Sequence, residues 1–261
     1  QGRLSNNNLK KVSSYPINPI SEIKKAAELN FVHIEFITKE SYYFHKKNLI
    51  WYDKNINNLK KITSDNKIKK IVFTDNRSVK TNFLKLTNYY KQLIKQISKF
   101  KFKFFVVPLI NKSEFNFKKI HQSVKFLDNI INYCKKRKIM FLVETNMNFA
   151  NYKKLEKEMK NKLNIVYDTG NRQYNNSKIY LEEIILFQNR IKHIHLKDRD
   201  KKGNNVKFGN GHVNFKEVFK KLNQIKYKGF FTLESSRGND SIRTQYMNYQ
   251  YIKKCLRKIN H

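Results

Sequence analysis

Short runs of apolar and β-branched residues alternate along the chain with longer stretches in which apolar positions recur every three or four residues. The short runs begin near Phe31, Ile68, Phe102, Ile139, Leu163, Ile191 and Gly229. Helical periodicity fills the intervals, over 20–29, 56–62, 79–100, 117–137, 152–162, 179–190, 215–225 and 241–259. This alternation predicts repeated βα units closing into a parallel sheet, an α/β (β/α)8 TIM barrel. A doubly wound open sheet is the competitor, but no glycine-rich phosphate loop follows the early strands. A barrel needs eight strands and the pattern shows seven. The missing one should precede 20–29, where residues 1–4 read as a loop just after a strand. The first strand is therefore expected to be truncated, leaving the sheet short of full closure. The length of 261 residues matches a single domain spanning 1–261, since one such barrel takes about 250.

Four of the strand-like runs end in a metal-type ligand. They are Phe-Leu-Val-Glu at 141–144, Ile-Val-Tyr-Asp at 165–168, Ile-Lys-His-Ile-His at 191–195 and Phe-Phe-Thr-Leu-Glu at 230–234. A two-residue period places Leu142 with Glu144, Val166 with Asp168, His193 with His195 and Thr232 with Glu234 on one face. Val143, Ile165, Ile194 and Leu233 then face the helices. Glu144, Asp168, His195 and Glu234 thus occupy the last inward position of four successive strands, where barrels collect their catalytic groups. Clustered buried carboxylates repel one another and take up protons unless a cation compensates them. Three carboxylates and one imidazole suit Mn²⁺, with Mg²⁺, Co²⁺ or Zn²⁺ as alternatives, better than they suit a thiolate-seeking ion. The competing reading pairs some of these acids with Lys197 or Arg199 as ordinary ion pairs.

Composition changes this picture little. The net charge of +35 would suit a nucleic-acid partner. Yet only nine of the 55 basic residues are Arg, and the lysines fall as scattered pairs at 24–25, 60–61, 118–119, 153–154 and 220–221. Abundant Asn, Ile, Phe and Tyr accompany them, the bias of an AT-rich genome. Phosphate forks favour Arg, and single-strand grooves interleave aromatics with charge. A solvated basic coat is expected, with no specific nucleic-acid groove, while Arg3, Arg199 and Arg237 gather at the barrel mouth. No apolar stretch approaches the roughly 20 residues of a membrane span, and no signal-peptide pattern opens the chain. Cys134 and Cys255 lie in lysine-rich helical stretches, which fits a reducing cytoplasm.

Several further pieces fall into a familiar set: Gln1-Gly2-Arg3-Leu4, Tyr15-Pro16, His33-Ile34-Glu35, Val107-Pro108-Leu109, Val143-Glu144-Thr145 and Tyr167-Asp168-Thr169-Gly170-Asn171. Beyond them come the His-Ile-His-Leu-Lys-Asp-Arg stretch at 193–199, Gly209 and Gly211 with Phe215, and Tyr227 and Gly229 ahead of Leu233-Glu234. Together they resemble the xylose isomerase-like barrels, in particular the sugar phosphate isomerase/epimerase group of the AP endonuclease family 2 superfamily. The resemblance implies a metal held by Glu144, Asp168, His195 and Glu234. It also implies that Glu144 and Glu234 move a proton beside the substrate carbonyl by way of an enediolate. Many relatives carry His three residues after the Asp, where this chain has Asn171, an amide that cannot relay a proton near neutral pH.

Other residues are weighed on their own position. Glu35 closes the strand beginning near Phe31 and is a candidate for a substrate hydroxyl, with an ion pair to Arg3 as the alternative. His193 lies one inward layer below His195, as a supporting donor or a satisfied core histidine. Asp75 reads as a turn or helix-cap residue, and His212 as a loop residue. Lys197, Arg199 and Arg237 crowd the loops where barrels frequently bind phosphate, and Gly209 and Gly211 would let backbone N–H groups approach an anion. Asn171, Lys197, Arg199, Arg237 and Glu35 are accordingly the substrate-binding candidates.

The function these readings support is a cytoplasmic, metal-dependent isomerase or epimerase of carbohydrate metabolism. Its expected partner is a small-molecule sugar or sugar phosphate; a homo-oligomeric state is left open. A polyol-ketone dehydratase or lyase would use the same enolisation. An apurinic endonuclease-like nuclease is a less favoured alternative, since Asn171 stands where its zinc site needs a His and the third strand offers none; a non-catalytic barrel is the other.

Overall fold

The structure, a computed structural model, describes Leu4 and residues 18–38, 53–100 and 102–257. Among these the chain forms two compact units, one made chiefly of residues 15–164 and the other chiefly of residues 165–261. Arg3 and the Gln1-Gly2 and Tyr15-Pro16 pieces of the sequence set lie outside the described residues.

The first unit carries strands β1 (His33–Thr38), β2 (Lys70–Asp75), β3 (Phe104–Pro108) and β4 (Met140–Glu144). All pair in parallel with their neighbours, β1 on β2, β2 on β3 and β3 on β4. The two faces are sorted by ring packing. Phe73 and Phe105 lie side by side with centroids 6.2 Å apart, Phe105 and Phe141 at 6.1 Å, and Phe105 meets Tyr90 of a covering helix edge-on at 5.6 Å. These residues face the helices, so Glu35, Thr74, Leu142 and Glu144 occupy the opposite face.

The helices follow from local signals. Helix α1 (Pro19–Glu28) starts where Asn18 accepts a hydrogen bond from Ser21 N and proline takes the first helical position. Helix α2 (Asp53–Asp65) precedes β2. The stretch at 79–100, read from periodicity as one helix, is broken. Short 3-10 turns at Asn76–Lys80 and Phe83–Leu86 come before helix α3 (Thr87–Ile97). Thr81 is extended and Asn82 turns its side chain onto Leu84 N, while Ser78 donates to the carbonyl of Pro108. Helix α4 (Ile120–Lys135) buries Ser123, Phe126, Leu127, Ile130, Ile131 and Cys134, the spacing that predicted it. Helix α5 (Phe149–Glu158) starts earlier than its apolar pattern because Asn148 caps it. It ends earlier because Lys160 N and Asn161 N donate to the Asp128 carboxylate of α4.

The second unit carries β5 (Asn164–Asp168), β6 (Ile191–Leu196) and β7 (Phe231–Leu233), again paired in parallel in that order. A bulge between Ile165 and Val166 sets the register that makes Asp168 the direct neighbour of His195. Helices α6 (Thr169–Asn175) and α7 (Tyr180–Phe187) lie between β5 and β6, α8 (Phe215–Gln224) between β6 and β7, and α9 (Ser241–Arg257) closes the unit. Phe231 packs edge-on against Phe219 of α8, which puts Thr232 on the other face. Beneath α6 and α7, Arg172 and Glu183 form a buried ion pair. Burial raises the Glu183 carboxyl above its ordinary value, and the Arg172 guanidinium opposes that shift. No helix among the described residues is long and apolar enough to cross a membrane.

The lysine pairs at 60–61, 118–119 and 153–154 are exposed, as a solvated coat requires. Cys134 is buried and its thiol is pushed up to about 12 by that burial, so it is a packing residue with little thiolate.

Candidate functional site

On the second unit, the C-terminal ends of three parallel strands gather a connected polar cluster. Asp168 is the last residue of β5, His195 the last but one of β6, and Glu234 follows β7 directly, where its N–H donates to the carbonyl of Leu196. All three are buried, at 2%, 0% and 4% exposure. A carboxylate oxygen of Asp168 and a ring nitrogen of His195 come within 4.8 Å of each other. His195 Nδ1 lies 3.6 Å from Glu234 Oε1.

Asp168 has two tasks. Its Oδ1 caps α6 by accepting from Asn171 N at 2.8 Å, and its Oδ2 accepts from Asn171 Nδ2 at 2.9 Å. The Asn171 amide is oriented from its other end by Arg199, whose Nη2 donates to Asn171 Oδ1, while Arg199 Nη1 donates to Gly203 O at 2.8 Å. Asn171 therefore positions the Asp168 carboxylate through a hydrogen bond and moves no proton.

Lys197, directly after β6, completes the cluster. Its ammonium contacts Asp168 Oδ2 and lies 2.7 Å from Glu234 Oε2. Thr169 fixes the lysine backbone on both sides: its hydroxyl accepts from Lys197 N at 2.9 Å and donates to Lys197 O at 2.8 Å. Gly170 lets the lysine stem pass. A Cβ there would sit 2.9 Å from Lys197 Cγ and 3.0 Å from Lys197 O. The Asp-Thr-Gly piece thus supplies a carboxylate, an anchor for Lys197 and the space for its stem. Gly170→Ala should destabilise the fold by about 1–3 kcal/mol, because the backbone oxygen cannot yield as a side-chain tip would. A thermal melt unchanged from wild type would contradict that contact.

His193 is satisfied locally. Its Nδ1 is 3.2 Å from Phe230 O and its Nε2 2.8 Å from Thr232 Oγ1. The carbonyl can only accept, so Nδ1 carries the proton and Nε2 accepts from the threonine hydroxyl. His193 is a core histidine whose ring meets that of His195 edge-on at 5.2 Å.

Asp198 escaped the sequence reading. It is fully buried and accepts from the backbone N–H groups of Gly209, Gly211 and Val213 at 2.9, 3.0 and 3.1 Å. Burial pushes its carboxyl above the ordinary value, and these N–H groups pull the other way. The anion approached by the two glycines is thus the protein's own carboxylate. Gly209 has φ +88°, and a Cβ on Gly211 would lie 2.2 Å from Asp198 Oδ1. His212, directly after Gly211, is exposed. Arg237, three residues past Glu234, is 2% exposed.

On the first unit, Glu144 is the last residue of β4 and is buried, its carbonyl accepting from Leu109 N at 2.8 Å. Glu35 is buried too, but it falls mid-strand. The pairing of β1 with β2 runs on through Thr38, so Glu35 does not close its strand. It accepts from Thr74 Oγ1 at 2.5 Å. Asp75, at the end of β2, makes no cap bond and accepts from Tyr89 Oη at 3.0 Å instead.

Parallel strands joined through helices, with buried donors at their C-terminal ends, define an α/β barrel protein. The chain belongs to the xylose isomerase-like TIM barrel family, whose model matches residues 23–255. No curated protein sequence is significantly similar to it. Among solved structures it is similar to a D-psicose 3-epimerase from Clostridium cellulolyticum H10 solved with D-tagatose. That match has a TM-score of 0.76 at 16% identity and covers 93% of this chain and 95% of the other. It is also similar to an L-ribulose 3-epimerase, with a TM-score of 0.78, 12% identity and coverage of 95% and 92%. A xylose isomerase-like TIM barrel protein from Mycobacterium smegmatis, solved in complex with magnesium, matches with a TM-score of 0.69, 15% identity and coverage of 92% and 88%.

Proposed function

We propose that the protein is a divalent-metal-dependent epimerase or isomerase acting on a sugar or sugar phosphate. The observation that carries this reading is the buried gathering of Asp168, His195 and Glu234 at the ends of adjacent parallel strands. Similarity to sugar epimerases of the same fold supports it.

The donor set fits a hard or borderline divalent cation: carboxylate oxygens, one imidazole and no thiolate. The site also holds a positive group already, since the Lys197 ammonium lies against both Asp168 and Glu234. Asp168, His195 and Glu234 would hold the ion, with Glu144 as the fourth proposed ligand. Such an ion supplies electrostatic stabilisation for negative charge developing on a substrate oxygen.

The protein's own groups would do the rest. One of Glu144 and Glu234 takes the proton from the carbon beside the carbonyl and keeps it, and the other, starting protonated, delivers its own proton to the planar enediolate. Return to the opposite face gives an epimer; return to the neighbouring carbon gives an isomer. Asn171 keeps the Asp168 carboxylate oriented, with Arg199 behind it. Arg199, Arg237, Lys197 and Glu35 are the groups proposed to meet substrate hydroxyls or a phosphate. Mn²⁺ is the proposed ion.

The test is hydrogen exchange with solvent. Ketoses, aldoses and their phosphates are incubated in D₂O with metal-free protein, with added Mn²⁺ and with excess chelator. Deuterium should enter at the carbon beside the carbonyl only with the metal present and vanish on chelation. Exchange that is indifferent to chelator, or that occurs with none of these substrates, would sink the reading.

A further inference from the structure

We propose that Lys197 is an internal counter-cation that holds the place of the divalent ion and thereby sets the protein's metal affinity. The proposal rests on the metal-site reading given above.

Lys197 is the only lysine shown buried among the described residues, at 5% exposure. Burying an ammonium costs several kcal/mol unless it is paired in good geometry. Lys197 is paired twice, with Asp168 Oδ2 and with Glu234 Oε2 at 2.7 Å. Those are the carboxylates assigned to the metal. The placement is built in from several sides. Thr169 clamps the lysine backbone through two hydrogen bonds, and Gly170 leaves the lane through which the stem reaches inward. The far carboxylate oxygens are engaged elsewhere, Asp168 Oδ1 by Asn171 N and Glu234 Oε1 facing His195 at 3.6 Å. Asp168 Oδ2 is shared between the ammonium and the Asn171 amide, which donates to it at 2.9 Å.

A divalent cation and an ammonium cannot share these oxygens, because two positive charges at contact distance repel strongly where little water screens them. The ion must displace the lysine, so its apparent affinity is reduced by the stability of the lysine-bound state. The metal-free protein in turn keeps Asp168 and Glu234 compensated and does not leave two bare carboxylates buried together.

Lys197→Met keeps the apolar stem that passes Gly170 and removes the charge. Mn²⁺ should bind the variant at least about tenfold more tightly than wild type. The metal-free variant should melt at lower temperature, and Mn²⁺ should raise its Tm by more than it raises that of wild type. The experiment is calorimetric Mn²⁺ titration of both proteins, with free Mn²⁺ followed by electron paramagnetic resonance, at one pH and ionic strength. A second arm uses wild type alone, so that it holds even if the variant fails to fold. Amine acetylation at Lys197, mapped by peptide mass spectrometry, should rise when Mn²⁺ saturates the protein. Equal or weaker Mn²⁺ binding by the variant, or Lys197 acetylation unmoved by saturating Mn²⁺, overturns the proposal and leaves the metal site standing. Absence of Mn²⁺ binding by both proteins overturns the metal-site reading along with it.

Discussion

Glu144→Gln and Glu234→Gln should each cut solvent-hydrogen exchange at the substrate carbon by roughly 10²–10⁴, the usual cost of removing a general acid or base. The substitution keeps shape and hydrogen bonding but removes the ability to take up a proton. Glu234 carries further weight, because its Oε2 faces Lys197 at 2.7 Å and its Oε1 faces His195 at 3.6 Å. Its loss should weaken Mn²⁺ binding as well as exchange. Glu144 ends β4 and Glu234 follows β7 directly. Asp168→Asn, by contrast, should act mainly through metal affinity, since that carboxylate is already spent on capping α6 and holding Asn171. Single-turnover exchange in D₂O, with Mn²⁺ binding measured on the same preparations, separates the two effects. Wild-type exchange in both glutamine variants would show that proton transfer lies elsewhere, even with metal binding intact.

The strand-end positions of these polar residues were legible because a strand leaves a simple trace. A period of two sorts its faces, and a buried apolar run that ends in Glu, Asp or His has few innocent explanations. Glu144 and Asp168 end their strands, His195 lies one residue before the end, and Glu234 one residue past it, as the pattern indicated. Glu35 was misplaced by the same rule: Phe36, Ile37 and Thr38 continue the pairing with β2, and apolar continuity alone does not mark where hydrogen bonding stops.

What the sequence hid was mostly capping and pairing at long range. Helix α6 has no apolar stripe long enough to read; it exists because Asp168 caps it, a role invisible until the residue after β5 is known to turn. The stretch at 79–100 carries helical periodicity throughout, yet Asn82 and Ser78 divert the backbone toward side-chain and cross-strand partners. Lys197 is one lysine among many in the sequence, and only the proximity of β5 and β7 to β6 sets it apart. The competing reading, acids paired with Lys197, describes the ion pairs actually seen. The proposed metal ion would answer the same electrostatic demand as this ammonium.

Asp198→Ala should be among the most destabilising single substitutions outside the cluster of Asp168, His195 and Glu234. In the glycine-containing loop after β6 one carboxylate accepts from three backbone groups, Gly209 N, Gly211 N and Val213 N. Alanine removes the acceptor without offering water a way in, since residue 198 is fully buried. Each N–H left without a partner costs about 1–3 kcal/mol, so the loss should reach at least about 3 kcal/mol. For a protein of this size that lowers Tm by roughly 6–12 °C. Asp198→Asn, which keeps one acceptor oxygen, should fall between alanine and wild type. Gly211→Ala should mimic the loss from the other side, because its Cβ would lie 2.2 Å from Asp198 Oδ1 and 2.5 Å from Arg199 O. Calorimetric melts of the three variants, with amide exchange at Gly209 and Gly211 as a local readout, test the arrangement. An Asp198→Ala protein that melts within about 2 °C of wild type, with those amides still protected, would show that the loop is held by something other than this carboxylate.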